Sequence, residues 1–383
     1  MVWLTLAHMF ILVMSTLFMA KQYIDESTSR AFRVISFFAF VNVVMIHSQA
    51  VPLSVFGGLH SYLSICLFRK MTSWAVPWFF VISGYFFNRH CERLHSWSGW
   101  RRFYWNKFES LVIPYFLWTV VISLMVLPLI ICVNLYAGRT VMANTPFVGN
   151  PLYVLLELFG INRENGPAMA GHLWFLRSLI IFFILGSGIY VLKRFLGRYG
   201  VAFMGLIDCM VLLLGFYGLP YCSVLFYFLI GMSINLPRLY AVVHDMFLTP
   251  MLMACCLCGS ALIALSVLNV KVDEACVYGS IWARITSFLC ASTGVAFYFI
   301  TGGFLGARLY KSFMNNTFWC YCIHVVFTSY ICLGLMAIRK TSCTLGWLTS
   351  LISVICGSVL PMMLYALLRP KIPRVMRVLC GGR

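Results

Sequence analysis

A histidine at the end of an apolar segment has the clearest chemical potential in this sequence. His47 follows the run FRVISFFAFVNVVMI, and Arg33 lies 14 residues before it. On an α-helix this separation corresponds to about 21 Å of rise, with both side chains within about 40° of one face. A cation near one end of a helix and an imidazole further along suit anion binding at the first and proton transfer at the second. The alternative interpretation is a histidine that only lies at a membrane interface.

Other polar side chains also fall inside apolar segments, where each is energetically expensive and therefore a candidate for function. Arginines in this setting need a partner or a water-filled cavity, and the acidic candidates for Arg177 and Arg284 are Asp208 and Glu157. The candidates for substrate binding are Ser83, His172, Trp174, Arg177, Arg284 and His324.

Several of these candidates have a structural alternative. Ser83 adjoins Gly84, and a small-residue pair of this kind is as readily explained by close helix packing. Trp174 fits an interfacial aromatic belt. His324 follows TFWCY and is as readily a packed histidine as a reactive one.

The composition places most of the chain in lipid. Apolar residues make up 62% of the sequence and charged residues 10%, whereas a soluble domain carries about 25% charged residues. A secreted disulfide scaffold, a cytosolic enzyme and a disordered regulator are thereby excluded. The 16 cysteines lie mostly inside apolar runs without metal-ligand spacing, so we interpret them as packing residues and predict no metal site.

The apolar segments predict an all-α polytopic membrane protein with a ten-helix core and one additional N-terminal helix. We predict three regions, namely the extra helix with its linker (1–31), the ten-helix membrane domain (32–368) and a basic tail (369–383). We favour a retained N-terminal helix over a signal peptide, because no basic segment precedes it. The predicted spans are 3–20, 32–50, 73–88, 109–133, 173–192, 200–218, 221–235, 247–269, 281–302, 316–337 and 346–368.

The charge distribution predicts the orientation of these spans. The net charge of +18 comes from 28 Lys and Arg against 10 Asp and Glu. A nucleic-acid surface is one source of such a balance, but cytoplasmic loops that follow the positive-inside rule explain it better. The basic residues concentrate in 21–33, 89–107, 193–198 and the tail, which are therefore predicted to be cytoplasmic. The long connection 134–172 is predicted to lie outside, and no nucleic-acid partner is expected.

No G-x-S-x-G, Walker A or H-E-x-x-H motif is found in the sequence. The segments around the polar residues nevertheless resemble the multi-pass acyltransferase family 3, whose bacterial members acylate surface glycans. The matching stretches are RVISFFAFVNVVMIHS (33–48), VPWFFVISGYFF (76–87), LVIPYFLW (111–118), HLWFLRSLI (172–180), YFLIGMSI (227–234) and NTFWCYCIH (316–324).

This resemblance implies an O-acyltransferase of the cytoplasmic (inner) membrane of a bacterium. Its donor would be cytoplasmic acyl-CoA, expected to be acetyl-CoA, and its acceptor a hydroxyl of a carbohydrate or lipid-linked glycan at the opposite face. No permanently bound cofactor is expected. The essential histidine of the family corresponds to His47 and its basic residue to Arg33, although the family spaces this pair one turn closer. We expect the CoA phosphates to be held by Arg33, Arg101, Arg102 and Lys107.

A transporter or flippase of lipid-linked glycans is the alternative function. Such a protein would use the same polar interior as a path, and inverted repeats with paired broken helices would be its marks. The sequence shows no such internal symmetry. A receptor-like or structural membrane protein is a third possibility, and the ordered series of matching stretches argues against it.

Overall fold

The computed structural model describes residues 26–48, 58–94, 96–137, 159–160, 170–219, 221–245, 248–275, 280–336 and 343–382. These residues are 90% helical and include no strand. The all-α prediction is therefore confirmed. The proposed N-terminal span 3–20 and most of the connection 134–172 lie outside the described residues.

Fourteen α-helices make up the described part of the chain. The first seven are α1 (Glu26–His47), α2 (Gly58–Ile65), α3 (Ala75–Cys91), α4 (Trp97–Lys107), α5 (Ile113–Ala137), α6 (Trp174–Phe195) and α7 (Gly200–Phe216). The others are α8 (Cys222–Ser233), α9 (Leu236–His244), α10 (Leu248–Ala275), α11 (Ile281–Leu309), α12 (Thr317–Met336), α13 (Cys343–Lys371) and α14 (Pro373–Leu379). Short π-helical segments follow α2 (Cys66–Lys70) and precede α5 (Phe108–Val112), and a 3₁₀ turn (Gly171–Leu173) precedes α6.

Several of the described helical segments are long enough to span a membrane. Within the described ranges, seven helical segments are long and apolar enough to cross a membrane, or eight if the bent pair α8 and α9 forms one span. That pair bends by 77°; α8 lies within the predicted span 221–235, and α9 lies beyond its end. The chain is therefore a multi-pass integral membrane protein, while the count of ten core helices plus one stays a prediction.

The described chain divides into two compact units. The first comprises the described residues within Met1–Ala39, Ser73–Arg93 and Phe182–Met314, and the second comprises those within Phe40–Thr72, Leu94–Ile181 and Asn315–Arg383. The helices α1 and α6 each contribute residues to both units, because the division falls within them.

Glycine lets two helices of the first unit approach at backbone distance. A Cβ atom added at Gly84 on α3 would lie 1.9 Å from the carbonyl oxygen of Phe228 on α8. A Cβ atom added at Gly231 on α8 would lie 2.0 Å from the carbonyl oxygen of Val81 on α3. No side chain fits in either place, so α3 and α8 pack as the small-residue interpretation of Gly84 predicted.

Indole hydrogen bonds fasten helices of the second unit. The Nε1 of Trp118 on α5 donates to the carbonyl oxygen of Leu379 at the end of α14 over 2.9 Å. The Nε1 of Trp319 on α12 donates to the carbonyl oxygen of Pro361 on α13 over 3.0 Å. Pro361 lies inside α13, and its carbonyl oxygen accepts this bond from the Trp319 indole. The bond from Trp319 holds α12 against α13, and α12 carries part of the site described next.

Candidate active site

His47 is the last residue of α1. The Ser48 hydroxyl donates to the carbonyl oxygen of Val44 over 2.7 Å and its N–H to the carbonyl oxygen of Met45 over 3.1 Å, which marks the end of the helix. Ser48 is fully buried, whereas the His47 side chain is exposed. His47 therefore keeps exposed surface at the end of α1.

Two further histidines of the second unit pack around His47. Its ring centroid lies 5.3 Å from that of His324 and 6.3 Å from that of His172. The rings of His172 and His324 are 5.2 Å apart. Their side chains are 4% and 0% exposed. We call this group the histidine cluster; it joins one accessible imidazole to two buried ones.

Backbone carbonyl groups hold both buried rings. The Nε2 of His172 lies 2.8 Å from the carbonyl oxygen of Cys322, and the Nδ1 of His324 lies 2.6 Å from the carbonyl oxygen of Tyr321. The Tyr321 hydroxyl donates to the carbonyl oxygen of His172. The 3₁₀ turn before α6 is thus joined to α12 by two hydrogen bonds, one through the side chain of His172 and one through its backbone carbonyl group.

The cluster lacks metal-site geometry. Three imidazoles at this spacing invite comparison with a zinc centre, which takes nitrogen ligands at about 2.0–2.1 Å. In the segments that the structure describes, no group of three His, Cys, Asp or Glu side chains is arranged to hold a metal ion. The arrangement suits proton transfer and hydrogen bonding better.

The predicted CoA-binding residues of the second unit lie together on α4. Ser96 caps this helix by accepting a hydrogen bond from the Gly99 N–H over 3.1 Å, as N-terminal serines commonly do. Arg101 and Arg102 are exposed, and the half-buried Lys107 places its ammonium 5.5 Å from the centre of the Phe103 ring. An exposed guanidinium group suits phosphate recognition.

Arg33 is also exposed. It lies on α1 with His47, but the division between the units falls within this helix, so Arg33 belongs to the first unit and His47 to the second. Its Nη1 donates to the Tyr310 hydroxyl over 3.3 Å, and its guanidinium carbon lies 5.9 Å from the centre of the same ring. Tyr310 therefore orients the Arg33 side chain.

Two predicted substrate-binding arginines contact backbone carbonyl groups. The Nη1 of Arg177 donates to the carbonyl oxygen of Gly160 in the second unit. In the first unit, the Nη1 of Arg284 donates to the carbonyl oxygen of Phe216, 3.0 Å away at the end of α7. The contact of Arg284 is thus a helix C-terminus, where a cation is favoured; the acidic candidate Glu157 lies outside the described residues.

The remaining predicted substrate-binding residues, Trp174 and Ser83, also belong to different units. Trp174 begins α6 in the second unit and is half-buried. Ser83 is half-buried on α3 in the first unit, beside the close approach at Gly84. The second unit therefore gathers His47, His172 and His324 into one cluster, whereas Ser83 and Arg284 belong to the first unit.

Sequence reasoning missed Tyr321. Its backbone carbonyl holds His324 and its hydroxyl holds the His172 backbone. The available signal was its spacing, because residues three apart on a helix share a face and Tyr321 precedes His324 by one turn. The carbonyl oxygen of Cys322 could not be identified from residue types.

The part of the chain that contains all three histidines of the cluster matches a known protein family. The family model described as an acyltransferase domain, acyltransferase family 3, matches residues 30–366. The chain belongs to this family and is a membrane acyltransferase. Neither a curated protein nor a solved structure matches it.

Proposed function

We propose that this protein transfers an acyl group, most simply acetyl, from acyl-CoA to a hydroxyl of a carbohydrate or lipid-linked glycan. The observation that carries the proposal is the histidine cluster, in which His47 is exposed while His172 and His324 are buried. An accessible imidazole in a protein of an acyltransferase family is a candidate general base or acyl carrier.

The general-base route balances in the following way. His47 takes the proton of the acceptor hydroxyl as the oxygen attacks the thioester carbonyl carbon. The C–S bond then breaks, and the CoA thiolate takes the proton from the His47 imidazolium. The products are the acyl ester and free CoA, and neutral His47 is restored. In the covalent route, a ring nitrogen of His47 attacks the thioester carbon, and CoA leaves as the thiol with the ring proton. The acceptor hydroxyl then takes the acyl group from the imidazole and returns its proton to the ring.

The donor side of the proposal rests on the basic residues. Arg101 and Arg102 are both exposed on α4, and a guanidinium group matches phosphate oxygens. Lys107 adds a further positive charge on the same helix. Arg33 is assigned to the same anion by the family resemblance.

The acceptor side rests on residues near the start of α6. Trp174 offers an aromatic face to a sugar ring, with His172 and Arg177 close by in sequence. Ser83, Arg284 and His324 were also predicted to bind substrate; the first two belong to the first unit, and His324 is fully buried. We place the reaction in the cytoplasmic membrane of a bacterium, with 89–107 and the tail inside and 134–172 outside.

The experiment compares envelope glycans from strains with and without the gene by mass spectrometry. Loss of one acyl mass from one sugar in the deletion strain, restored by the gene but not by its His47→Ala form, would support the proposal. Unchanged acylation together with accumulation of a lipid-linked glycan on one side of the membrane would point to transport instead. Purified protein, radiolabelled acetyl-CoA and the glycan fraction of the deletion strain provide the kinetic assay.

A further inference from the structure

The tautomers of the two buried histidines are set by their backbone partners. A carbonyl oxygen only accepts hydrogen bonds, so the Nε2 of His172 donates to Cys322 and the Nδ1 of His324 donates to Tyr321. A neutral imidazole has one N–H. The Nδ1 of His172 and the Nε2 of His324 are therefore acceptors, and both are buried without a hydrogen-bond partner in the described part of the chain.

A buried acceptor without a donor is expensive, at about 1–3 kcal/mol. Four rings surround His324, and three of them have no N–H or O–H to offer. Phe40 carries none, the N–H of His172 is used by Cys322, and the Tyr321 hydroxyl is used by the His172 carbonyl. The fourth ring is His47, whose imidazole has an N–H that no described contact uses.

The distance between the two rings fits one hydrogen bond. Two imidazoles joined by an N–H···N bond of about 3 Å have their centroids about 5 Å apart, and those of His47 and His324 are separated by 5.3 Å. The 6.3 Å between His47 and His172 is longer than such a bond allows. Because His47 is exposed at a helix end, a small rotation of its ring completes the contact with His324. Catalytic hydrogen bonds are often completed only when substrate binds.

We propose that His324 is a positioning residue for His47. Its Nε2 accepts the N–H of His47, so the other ring nitrogen of His47 carries the lone pair and faces the acceptor hydroxyl. When that nitrogen takes the hydroxyl proton, the bond to His324 holds the imidazolium in place until the CoA thiolate removes the proton. His324 itself gains no proton. This role rests on the proposed function, and it resembles the part that a carboxylate has beside the histidine of a catalytic triad.

Two amide variants separate this role from simple packing. The His324→Gln side chain can place its amide oxygen near the position of Nε2 and can still accept from His47. The His324→Asn side chain can replace Nδ1 as donor to Tyr321 but ends short of His47. We expect kcat to fall by about 10²-fold in His324→Asn and by less than about tenfold in His324→Gln, with the KM for acetyl-CoA changed by less than about twofold in both. Thr328→Val, a buried change one turn further along α12, is the matched control with near-wild-type kcat.

The decisive measurement repeats His324→Asn in a His47→Ala background. A residue that acts through His47 has nothing left to position, so the double variant should be no slower than His47→Ala alone. Equal kcat in His324→Asn and wild type, or a further loss of about 10²-fold in the double variant, would overturn the positioning role. If the wild-type protein itself transfers no acetyl group, the proposed function fails instead, and the two failures are thereby distinguished.

Discussion

The Nε2 of His172 lies 2.8 Å from the carbonyl oxygen of Cys322, and this hydrogen bond joins the turn before α6 to α12. The Tyr321 hydroxyl makes a second link by donating to the carbonyl oxygen of His172. Because the His172 side chain is only 4% exposed, water cannot readily replace the imidazole. His172 therefore supports the fold of the second unit as well as the surroundings of His47.

The first prediction concerns the stability that His172 provides. His172→Ala should destabilise the protein by roughly 2–4 kcal/mol, because it leaves a cavity and removes a buried hydrogen bond. The midpoint of thermal unfolding in detergent should fall clearly below that of the wild type. His60→Ala provides the control, since His60 is exposed in the same unit and its loss should leave the midpoint unchanged. Equal midpoints for the two variants would contradict this account of His172.

The second prediction concerns His47. His47→Ala should reduce acetyl transfer by at least about 10²-fold, the lower range for a lost general base, while the protein stays folded because little packing is lost at an exposed site. His47→Gln should fail similarly, since an amide cannot take up the proton. Transfer rates and thermal unfolding are measured on the same preparations. Near-wild-type glycan acylation in well-expressed His47→Ala cells would refute the mechanism and favour transport.

The third prediction concerns the basic surface of α4. Replacing Arg101, Arg102 and Lys107 together with Glu should raise the KM for acetyl-CoA far more than it lowers kcat, because contacts to a remote phosphate are similar in the ground and transition states. The control is Arg69→Glu, an exposed basic residue of the same unit on the opposite predicted side of the membrane. A triple variant with the KM of the wild type would argue against CoA binding at α4. Arg33→Ala is measured separately, because Arg33 belongs to the first unit.

The fourth prediction concerns helix packing in the first unit. Gly84→Ala should disrupt the contact of α3 with α8, since the added Cβ would lie 1.9 Å from the Phe228 carbonyl oxygen. Gly188 on α6 is the matched control, because no atom lies within 4 Å of a Cβ added there. Gly188→Ala should be neutral or stabilising by up to about 1 kcal/mol. Folded yield and the midpoint of thermal unfolding report both changes, and equal behaviour of the two variants would be inconsistent with the packing described.

The fifth prediction concerns orientation in the membrane. On a cysteine-depleted background, Ser98→Cys on α4 and Arg374→Cys on α14, both at exposed positions, should react with a membrane-impermeant reagent only after the membrane is opened. A cysteine introduced within 140–169 should react in intact cells. The opposite labelling pattern would reverse the orientation derived from the positive-inside rule.

Much of the fold class follows from the sequence alone. A chain with 10% charged residues cannot cover a soluble surface, and long apolar segments in lipid must satisfy their backbone groups within helices. The sequence therefore predicted most of the helices, including α3 over Ala75–Cys91 and α11 over Ile281–Leu309. It missed α2, which is short, and the 77° bend between α8 and α9, because apolar composition does not report direction.

The residues of the candidate site could be predicted from the sequence, but their arrangement could not. Each histidine could be singled out in the sequence, because an ionisable residue within an apolar segment is costly. Only the tertiary structure shows that His47, His172 and His324 form one cluster. A sequence pattern gives the apolar faces of a helix but not the helix against which each face packs. That choice depends on backbone approach and on individual polar contacts such as the bond from His172 to Cys322. Tertiary structure also decided that His47 is exposed and His324 buried, because burial depends on which helices surround each ring.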